Sequence, residues 1–464
     1  MTVIDGLLIF FTIVLVYFII VLYLNKKGIL KKYNITLWGP ALMWRTSKGK
    51  KILKKISSKK RFWKAFGSSG VVLCFIVMIV MTALIVWQTW AILEFTPEQR
   101  EMLPGPEFIL VLPGINPIIP IDFLWYIIIG LIIAMVFHEF SHGILTLVSK
   151  LKVKSLGLLY LIVPIGAFCE PDEEELKKAK TKSRMRIYAA GPTANFVVVL
   201  VTLLIFSFAF MSAVQPVADG AKIYSIDNNS PAESIGLEQG YVITYFNNTR
   251  IKSASDYYEV LLNTSANTSI PITYYNGQDR IDKFVYLTDL YTEHEKRGYQ
   301  NNASFKGVGY LGIFLLNDNV FNMYISALKN PFRGGSPNAF LLVYILPLWG
   351  YFQGYNPIIA PFTNSYIITG PLSVIPGPIF WFIVNALFWI FWINLAVAIF
   401  NVLPIIPLDG GFLFNDALGA FVRRVKKGVT KEQQESISQK ITVGLSLFLL
   451  FLVLFPFFIK YLPF

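Results

Sequence analysis

Two histidines and a glutamate have the spacing His-Glu-x-x-His inside an apolar stretch of the chain: His138, Glu139 and His142. Residues four apart share one face of a helix, so the two imidazoles can bind the same metal ion. Glu139, one position along, can reach a water molecule on that ion. The spacing therefore predicts hydrolytic chemistry at a zinc site, with His138 and His142 as ligands and Glu139 as the catalytic residue.

The surroundings of this motif decide between two interpretations. Short motifs match by chance, so an accidental match on a helix surface is the alternative to a metal site. Ionisable residues are costly inside a membrane span, and three of them within five positions call for a common explanation. The third histidine of the chain, His294, lies among charged residues. The apolar setting therefore favours the metal site.

The composition is that of a membrane protein with several spans. Of the 464 residues, 55% are hydrophobic and only 15% are charged, which is outside the range of ordinary soluble domains. About 20 apolar residues cross a bilayer as a helix, and about six segments reach that length. These segments are 3–24, 71–95, 123–148, 187–211, 379–403 and 441–459.

Basic residues are concentrated between the first two predicted spans. Residues 26–64 contain 14 Lys and Arg and no Asp or Glu, against a net charge of +13 for the whole chain. Such a loop is typical of the cytoplasmic side of a membrane and of contact with anionic lipid. This placement disfavours nucleic-acid binding. We therefore expect a multi-pass protein of the cell membrane, surrounded by the lipid bilayer, with its N-terminus outside.

A segment between the fourth and fifth spans has a different composition. From about residue 215 to 290, β-branched and aromatic residues alternate with Asn, Ser and Gly, which predicts short strands and turns. The run S-P-A-E-S-I-G-L-E-Q-G-Y-V-I at 230–243 resembles a PDZ domain, although Tyr241 stands where that family usually has Asp. The resemblance implies a sheet edge that binds extended peptides. A small β-domain that only covers the site is the alternative.

A catalytic zinc site needs a third protein ligand. The run N-V-L-P-I-I-P-L-D-G-G at 401–411 follows the fifth span, and its carboxylate is Asp409. Pro404 and Pro407 end the helix and allow an irregular segment to bring Asp409 back toward the histidines. Such backbone is tolerated in a membrane only where protein or a wet cavity surrounds it. The alternative role for Asp409 is that of a turn residue in an Asp-Gly bend.

The two motifs together resemble those of the site-2 protease family of intramembrane zinc metalloproteases. The resemblance implies that His138, His142 and Asp409 bind Zn²⁺ and that Glu139 is catalytic. It also implies regulated intramembrane proteolysis, in which membrane-anchored protein substrates are hydrolysed within or near their transmembrane segments. A transporter would usually show repeated halves, and none is found; a silent scaffold would lack one of the expected ligands.

Two asparagines are candidates for binding substrate. The run G-P-T-A-N at 191–195 is similar to the G-P-x-x-N run of the family, and Asn195 would hydrogen-bond the substrate backbone or the oxyanion. Helix packing is an equally weighted role for Asn195. Asn401 is the second candidate. The apolar segment 156–168 is predicted to offer a strand edge to an unwound substrate, with a buried connector as the alternative.

The predicted fold class is a polytopic α-helical membrane protein of about six transmembrane helices, with an inserted extracytoplasmic PDZ-like β/α domain. Residues 1–120 hold two helices and the basic cytoplasmic loop, and 121–213 hold the first part of the catalytic membrane core. The PDZ-like domain is 214–310, and an extracytoplasmic loop or flap is 311–378. Residues 379–464 complete the core and add the last helix, and the active site is expected toward the cytoplasmic side.

Overall fold

The computed structural model describes residues 3–39, 41–46, 49–108, 113–114, 116–160, 164–333, 337–426, 428 and 430–461. The helices are α1 (Val3–Lys26), α2 (Ile29–Lys32), α3 (Lys50–Ile56), α4 (Lys60–Leu93), α5 (Pro97–Glu101), α6 (Leu124–Val148), α7 (Glu173–Lys178), α8 (Thr181–Leu204), α9 (Pro231–Ser234), α10 (Ala254–Leu262), α11 (Leu290–Arg297), α12 (Asp318–Lys329), α13 (Pro337–Gln353), α14 (Gly377–Val402), α15 (Asp409–Val425) and α16 (Lys431–Phe458). The strands are β1 (Ile35–Trp38), β2 (Ala41–Thr46), β3 (Val153–Tyr160), β4 (Pro164–Pro171), β5 (Val214–Pro216), β6 (Ala221–Ile226), β7 (Val242–Phe246), β8 (Thr249–Arg250), β9 (Ser269–Asn276), β10 (Asp279–Tyr286), β11 (Thr288–Asp289), β12 (Gly309–Tyr310), β13 (Ile313–Leu315) and β14 (Tyr366–Ile368).

Five helices in the described part of the chain are long and apolar enough to cross a membrane. They are Lys60–Leu93, Ile121–Val148, Thr181–Ala213, Gly377–Val402 and Lys431–Phe458. These helices cover the second to sixth predicted spans, apart from one or two residues at the ends of three of them, so the chain is a polytopic α-helical membrane protein as predicted. The first predicted span is the helix α1, whose part from Thr12 to Lys26 is a shorter apolar helix.

The chain forms two compact units, of which the first joins Met1–Thr202 to Trp389–Phe464. Small residues allow its helices to pack closely, as is common in membranes. A Cβ at Gly70 of α4 would lie 2.3 Å from the hydroxyl of Thr193 on α8. A Cβ at Gly130 of α6 would lie 3.1 Å from side-chain and backbone atoms of α14. The unit therefore brings α4, α6, α8 and α14 together.

A four-stranded antiparallel sheet in the order β1-β2-β3-β4 belongs to the same unit. The pairs Thr46–Leu156 and Leu156–Cys169 give its register. Leu53 of α3 and Leu145 of α6 pack with Leu156 and Cys169 in one buried cluster. The basic loop thus folds against α6, which its composition did not predict, because the contacts that order it come from distant parts of the chain.

The second unit, Leu203–Phe388, contains the PDZ-like domain. Five of its strands pair in the order β10-β9-β7-β6-β13, with β8 on β7. Tyr241 is buried and stacks on Tyr274 with ring centroids 5.8 Å apart, so an aromatic side chain fills this position of the core. Outside the sheet, the hydroxyl of Tyr310 donates a hydrogen bond to Asp227. The pKa of Tyr310 is raised, mainly because the side chain is buried and also because of this hydrogen bond.

The segment expected as a loop or flap, 311–378, contains the helices α12 and α13 in the second unit. An apolar stretch of the sequence, 339–349, lies within α13, which has 17 residues. Tyr324 and Trp349 pack with ring centroids 3.9 Å apart, and this contact between α12 and α13 is not visible in the local composition.

Candidate metal centre

Three side chains from two distant parts of the chain meet in the first unit. His138 and His142 lie on one face of α6, with ring centroids 4.8 Å apart. The Nε2 atoms of His138 and His142 are 3.0 Å and 3.1 Å from Oδ2 of Asp409. One ligand atom from each residue lies within 4.8 Å of the others. The structure thus assembles the predicted ligand set, at a place where all three side chains are largely buried.

The irregular segment between α14 and α15 carries Asp409 to this place. The helix α14 ends at Val402, and Asp409 is the first residue of α15. A Cβ at Gly410 would lie 2.1 Å from the carbonyl oxygen of Val402, and one at Gly411 would lie 2.7 Å from Ile405. Only glycine fits at both positions. The Asp-Gly-Gly run therefore lets α15 begin directly against the end of α14.

Ser446 of α16 supports this segment, and the sequence reasoning missed it. The amide of Ile406 donates to Ser446 Oγ at 3.0 Å, and Ser446 Oγ donates to the carbonyl of Pro404 at 3.2 Å. Irregular backbone in a membrane needs such partners. Ser446 is a single serine in an apolar span, a weak signal, since serines also bond to their own helix, as Ser446 does to Thr442.

We expect Ser446→Ala to weaken zinc binding about tenfold, because partners outside the ligand shell typically contribute 10- to 100-fold. The amide of Ile406 would lose its acceptor, and the segment that holds Asp409 would loosen. Competition with a fluorescent zinc chelator measures the affinity. The control is Ser438→Ala, since among the described residues the Ser438 hydroxyl of the same helix donates to its own helix, at Glu435. Equal zinc affinity in both variants contradicts this role.

The hydrogen bonds around the histidines fit a bound cation. The ring nitrogen Nδ1 of His142 lies 2.7 Å from the carbonyl oxygen of Ile187, so this nitrogen carries the proton. A neutral ring then directs the lone pair of Nε2 at Asp409, where a carboxylate oxygen also presents lone pairs. These lone pairs repel each other unless a metal ion lies between the two atoms and accepts both. Two imidazoles and one carboxylate are a donor set of catalytic zinc sites, which keep one position open.

Glu139 lies beside the ligands and contacts the sheet. Its Oε2 accepts a hydrogen bond from the backbone amide of Cys169 at 2.7 Å. Cys169 is on β4, the last strand of the sheet. The segment 156–168, predicted to offer a strand edge, comprises parts of β3 and β4, apart from residues 161–163, which lie outside the described residues. The catalytic candidate and the edge strand are therefore neighbours.

Gly191 of α8 lies directly against both imidazoles. A Cβ at this position would lie 2.4 Å from Nε2 of His142 and 2.6 Å from Nε2 of His138. Each ring is confined by its place on α6, and the His142 ring also by its bond to Ile187. The candidate metal centre therefore requires glycine at the first position of the G-P-T-A-N run, because a larger side chain would overlap both imidazoles.

We expect Gly191→Ala to lower zinc affinity by more than about tenfold, a loss in the range of other residues that orient metal ligands. The added methyl group displaces both rings, although alanine favours the helix itself. Zinc content after dialysis measures the loss. Gly444→Ala is the matched control, because a Cβ at Gly444 of α16 meets no atom within 4 Å. Full zinc retention in Gly191→Ala contradicts this requirement.

The two candidate substrate-binding asparagines differ in their surroundings. Asn195 is fully buried on α8, and neither its Nδ2 nor its Oδ1 has a hydrogen-bond partner among the described residues. Asn401 is partly buried, and its Nδ2 donates to Val397 of its own helix at 2.9 Å. An unpartnered buried amide is costly. Asn195 is thus the stronger candidate for a group that binds a ligand.

A polytopic membrane protein with His-Glu-x-x-His on a spanning helix and a converging carboxylate has the features of a membrane metalloprotease. Residues 126–449 match the family model described as peptidase family M50. This match covers most of the chain, which therefore belongs to peptidase family M50, the site-2 protease family of zinc metalloproteases. The resemblance found in its motifs is confirmed.

Individual relatives are more distant. The "Uncharacterized protein MJ0971" of Methanocaldococcus jannaschii is 25% identical over 398 residues, which cover 85% of this chain and 83% of that protein. The "Putative zinc metalloprotease CPE1693" of Clostridium perfringens is 23% identical over 363 residues, covering 73% of this chain and 95% of that protein. Both relatives are matched over most of their lengths.

Solved structures of PDZ domains match about a fifth of the chain. The PDZ domain of the SdrC-like protein Lmo2051 from Listeria monocytogenes is 21% identical and covers 22% of this chain and 92% of that domain, with a TM-score of 0.18. The PDZ domain of the SdrC-like protein Lin2157 from Listeria innocua is 20% identical, with coverages of 21% and 96% and a TM-score of 0.17.

Proposed function

We propose that this chain is an intramembrane zinc endopeptidase that cleaves membrane-anchored proteins within or near their transmembrane segments. The observation that carries the proposal is the meeting of His138 and His142, on a spanning helix, with Asp409 from beyond the next-to-last span. All three residues lie in the first unit. A peptide bond of the substrate reaches them only if a membrane segment of that substrate enters this unit.

The chain's own residues supply the proton chemistry. A bound zinc ion would lower the pKa of a water molecule and polarise the scissile carbonyl. Glu139 accepts the proton of the attacking water and delivers it to the leaving amide nitrogen. The bond from Cys169 holds its Oε2, so the carboxylate keeps one orientation while Oε1 exchanges protons. Glu139 therefore acts as base first and acid second.

The substrate must present an unwound strand, because the carbonyls of a helix are closed in its own hydrogen bonds. The strand β4 is the last of its sheet, and its Cys169 touches Glu139. An extended substrate can pair with this edge by main-chain hydrogen bonds. This function for the segment 156–168 is supported over the alternative of a plain connector, because β4 lies next to the catalytic candidate.

Asn195 is proposed to bind substrate backbone or the developing oxyanion. Asn195→Leu separates this role from helix packing, because it keeps side-chain bulk while removing the polar atoms. We expect cleavage to fall about 100-fold, as for other oxyanion donors, with unchanged zinc content and equal or higher thermal stability. Asn385→Leu is a control, since Asn385 already donates to Ile358 and Trp381. Full activity in Asn195→Leu favours packing.

The orientation is proposed from the charge distribution. The basic loop between the first two spans lies in the cytoplasm, which puts the N-terminus and the PDZ-like domain outside and the metal centre toward the cytoplasmic side. The PDZ-like domain then meets the external parts of substrates. Cysteine labelling with a membrane-impermeant reagent at Lys51 and at Asn276 tests this arrangement: only the Asn276→Cys variant is expected to react in intact cells.

Cleavage itself is tested with purified full-length protein and single-pass substrates in lipid. We expect a cut at one or a few bonds inside the substrate span, located by mass spectrometry, and complete inhibition by a zinc chelator. A water-soluble peptide made of the residues that flank the substrate's apolar segment, without that segment, is the control and should remain intact. Cleavage only of the soluble peptide, or cleavage unaffected by the chelator, contradicts the proposal.

A further inference from the structure

A groove of about 400 Å³ lies in the first unit, among α2, the β1–β2 hairpin and the beginning of β3. Three basic residues and three hydroxyl residues are among those that line it: Lys31, Arg45, Lys154, Thr36, Thr46 and Ser155. Every lining residue belongs to the basic loop or to β3, and none of them is used by the proposed peptidase chemistry.

The cations of the groove are only partly compensated. No described residue forms an ion pair with Lys31. Nε of Arg45 is 3.8 Å from Glu170, and Nζ of Lys154 is 3.5 Å from Asp172, both at the long end of such contacts. Arg45 donates to Thr36 at 2.9 Å, which holds the guanidinium at the groove wall. The groove therefore contains several donors that an anion with several oxygens could accept hydrogen bonds from.

The position of the groove identifies the kind of anion. The apolar helix α1 ends at Lys26, and nine residues earlier Tyr17 donates to the carbonyl of Tyr160 at the end of β3. This hydrogen bond holds the end of β3 against the apolar helix. Lys31, in the short helix α2, follows Lys26 by only five residues. The groove thus lies close to the point where the apolar helix α1 ends and the basic segment begins.

The geometry points to a binding site for the phosphate-bearing headgroup of an anionic lipid. The phosphate contacts Lys31, Arg45 and Lys154, its hydroxylated headgroup contacts the threonines, and the acyl chains follow the apolar surface of α1. Contact of the whole basic loop with a negative surface would be diffuse. This site instead binds one lipid molecule at defined residues, and it exists whether or not the chain cleaves anything.

The groove also connects to the catalytic candidate. Ser155 pairs in register with Glu170 and donates to its carboxylate. Glu170 immediately precedes the end of β4 and follows Cys169, whose amide binds Glu139. A phosphate that binds Arg45 weakens the contact between Arg45 and Glu170. The carboxylate of Glu170, one residue from the Cys169 amide, then loses part of its charge compensation. Lipid binding is therefore expected to alter cleavage as well, as a second effect of occupying the site.

The test compares two triple variants of the full-length protein with the same change in charge. Lys31→Gln/Arg45→Gln/Lys154→Gln removes the cations of the groove. Lys51→Gln/Lys55→Gln/Lys59→Gln removes three exposed lysines outside it. Native mass spectrometry in detergent, with added phosphatidylglycerol or phosphatidylcholine, counts bound lipids and measures their affinity.

We expect one retained phosphatidylglycerol in the wild-type protein and in the control, and a loss of about 100-fold in affinity in the groove variant, since each cation contributes about fivefold. Equal loss in both variants overturns the site in favour of diffuse attraction. Inorganic phosphate and glycerophosphate are further arms: if either binds as tightly as the lipid, the ligand is a soluble phosphate and the lipid assignment is wrong.

Two measurements keep this test independent of folding and of the proposed peptidase. Zinc content must match the wild-type value in every variant. The lipid-binding measurements are also repeated in the Glu139→Gln background, so that their result does not depend on cleavage. If the groove triple variant loses zinc, Lys31→Glu replaces it, because Lys31 is exposed and its loss leaves the sheet intact. Unchanged affinity for phosphatidylglycerol in Lys31→Glu then contradicts the proposal.

Discussion

Glu139→Gln is expected to lower the rate of substrate cleavage by at least about 1,000-fold, within the range for loss of a general acid–base group, while zinc content stays unchanged. Glutamine keeps a carbonyl oxygen that can accept the hydrogen bond from Cys169, so the local structure is retained. It cannot accept a proton from water. Cleavage of a single-pass substrate in lipid gives the rate, and elemental analysis of the purified protein gives the zinc content.

The control for this variant is Glu174→Gln. Glu174 lies on the surface in α7 and gives the same change in charge without approaching the metal ligands. We expect it to cleave at the wild-type rate. If Glu139→Gln still cleaves, Glu139 is not the base. If it loses zinc as well as activity, the glutamate holds the metal site together and its chemical role must be assigned differently.

The residues of the candidate metal centre have the strongest local signals in the sequence. His138, Glu139 and His142 depend only on the period of one helix, which is a local property. Asp409 is far from them in the chain, but the prolines before it imply a break, and the break implies a return of the chain. Both inferences needed no knowledge of the tertiary contacts. The structure brings the three predicted ligands together.

The supporting residues could not be predicted, for physical reasons. The bonds of Ser446 to Pro404 and Ile406 join α16 to the segment before α15, and nothing in the local pattern of α16 marks that serine. The contact between Cys169 and Glu139 depends on the register of a sheet that includes two strands of the basic loop. Such contacts depend on tertiary packing, which overrides local preference.

In the second unit, too, some features follow from local sequence and others depend on tertiary contacts. The run at 230–243 contains a turn glycine, Gly240, whose φ of 86° is the positive value that such a turn requires. Glycine at such a position is a local signal, because it depends only on the backbone angle of that one residue. The helices α12 and α13 follow the domain in a segment rich in proline, glycine and aromatics, which favours loops. Packing between Tyr324 and Trp349 stabilises them instead, so composition alone gave the wrong expectation there.

Asp409→Asn is the second change with a large expected effect: zinc affinity falls by more than about 100-fold, the upper limit for partners outside the ligand shell, and cleavage is lost with it. Asparagine has nearly the same shape, so α15 still begins against α14. It lacks the charge that balances a dication and is a weak zinc ligand. Zinc content after dialysis against a buffered chelator measures the affinity.

Asp416→Asn is the matched control on the same helix. Asp416 accepts two hydrogen bonds from Arg184 of α8, at 2.6 Å and 2.8 Å, so its loss weakens the attachment of α15 without removing a ligand. We expect lower thermal stability and full zinc content. Equal zinc loss in both variants would mean that zinc binding depends on the position of α15 and not on the Asp409 carboxylate itself. Zinc loss in Asp409→Asn alone, with unchanged thermal stability, identifies the Asp409 carboxylate as the third ligand.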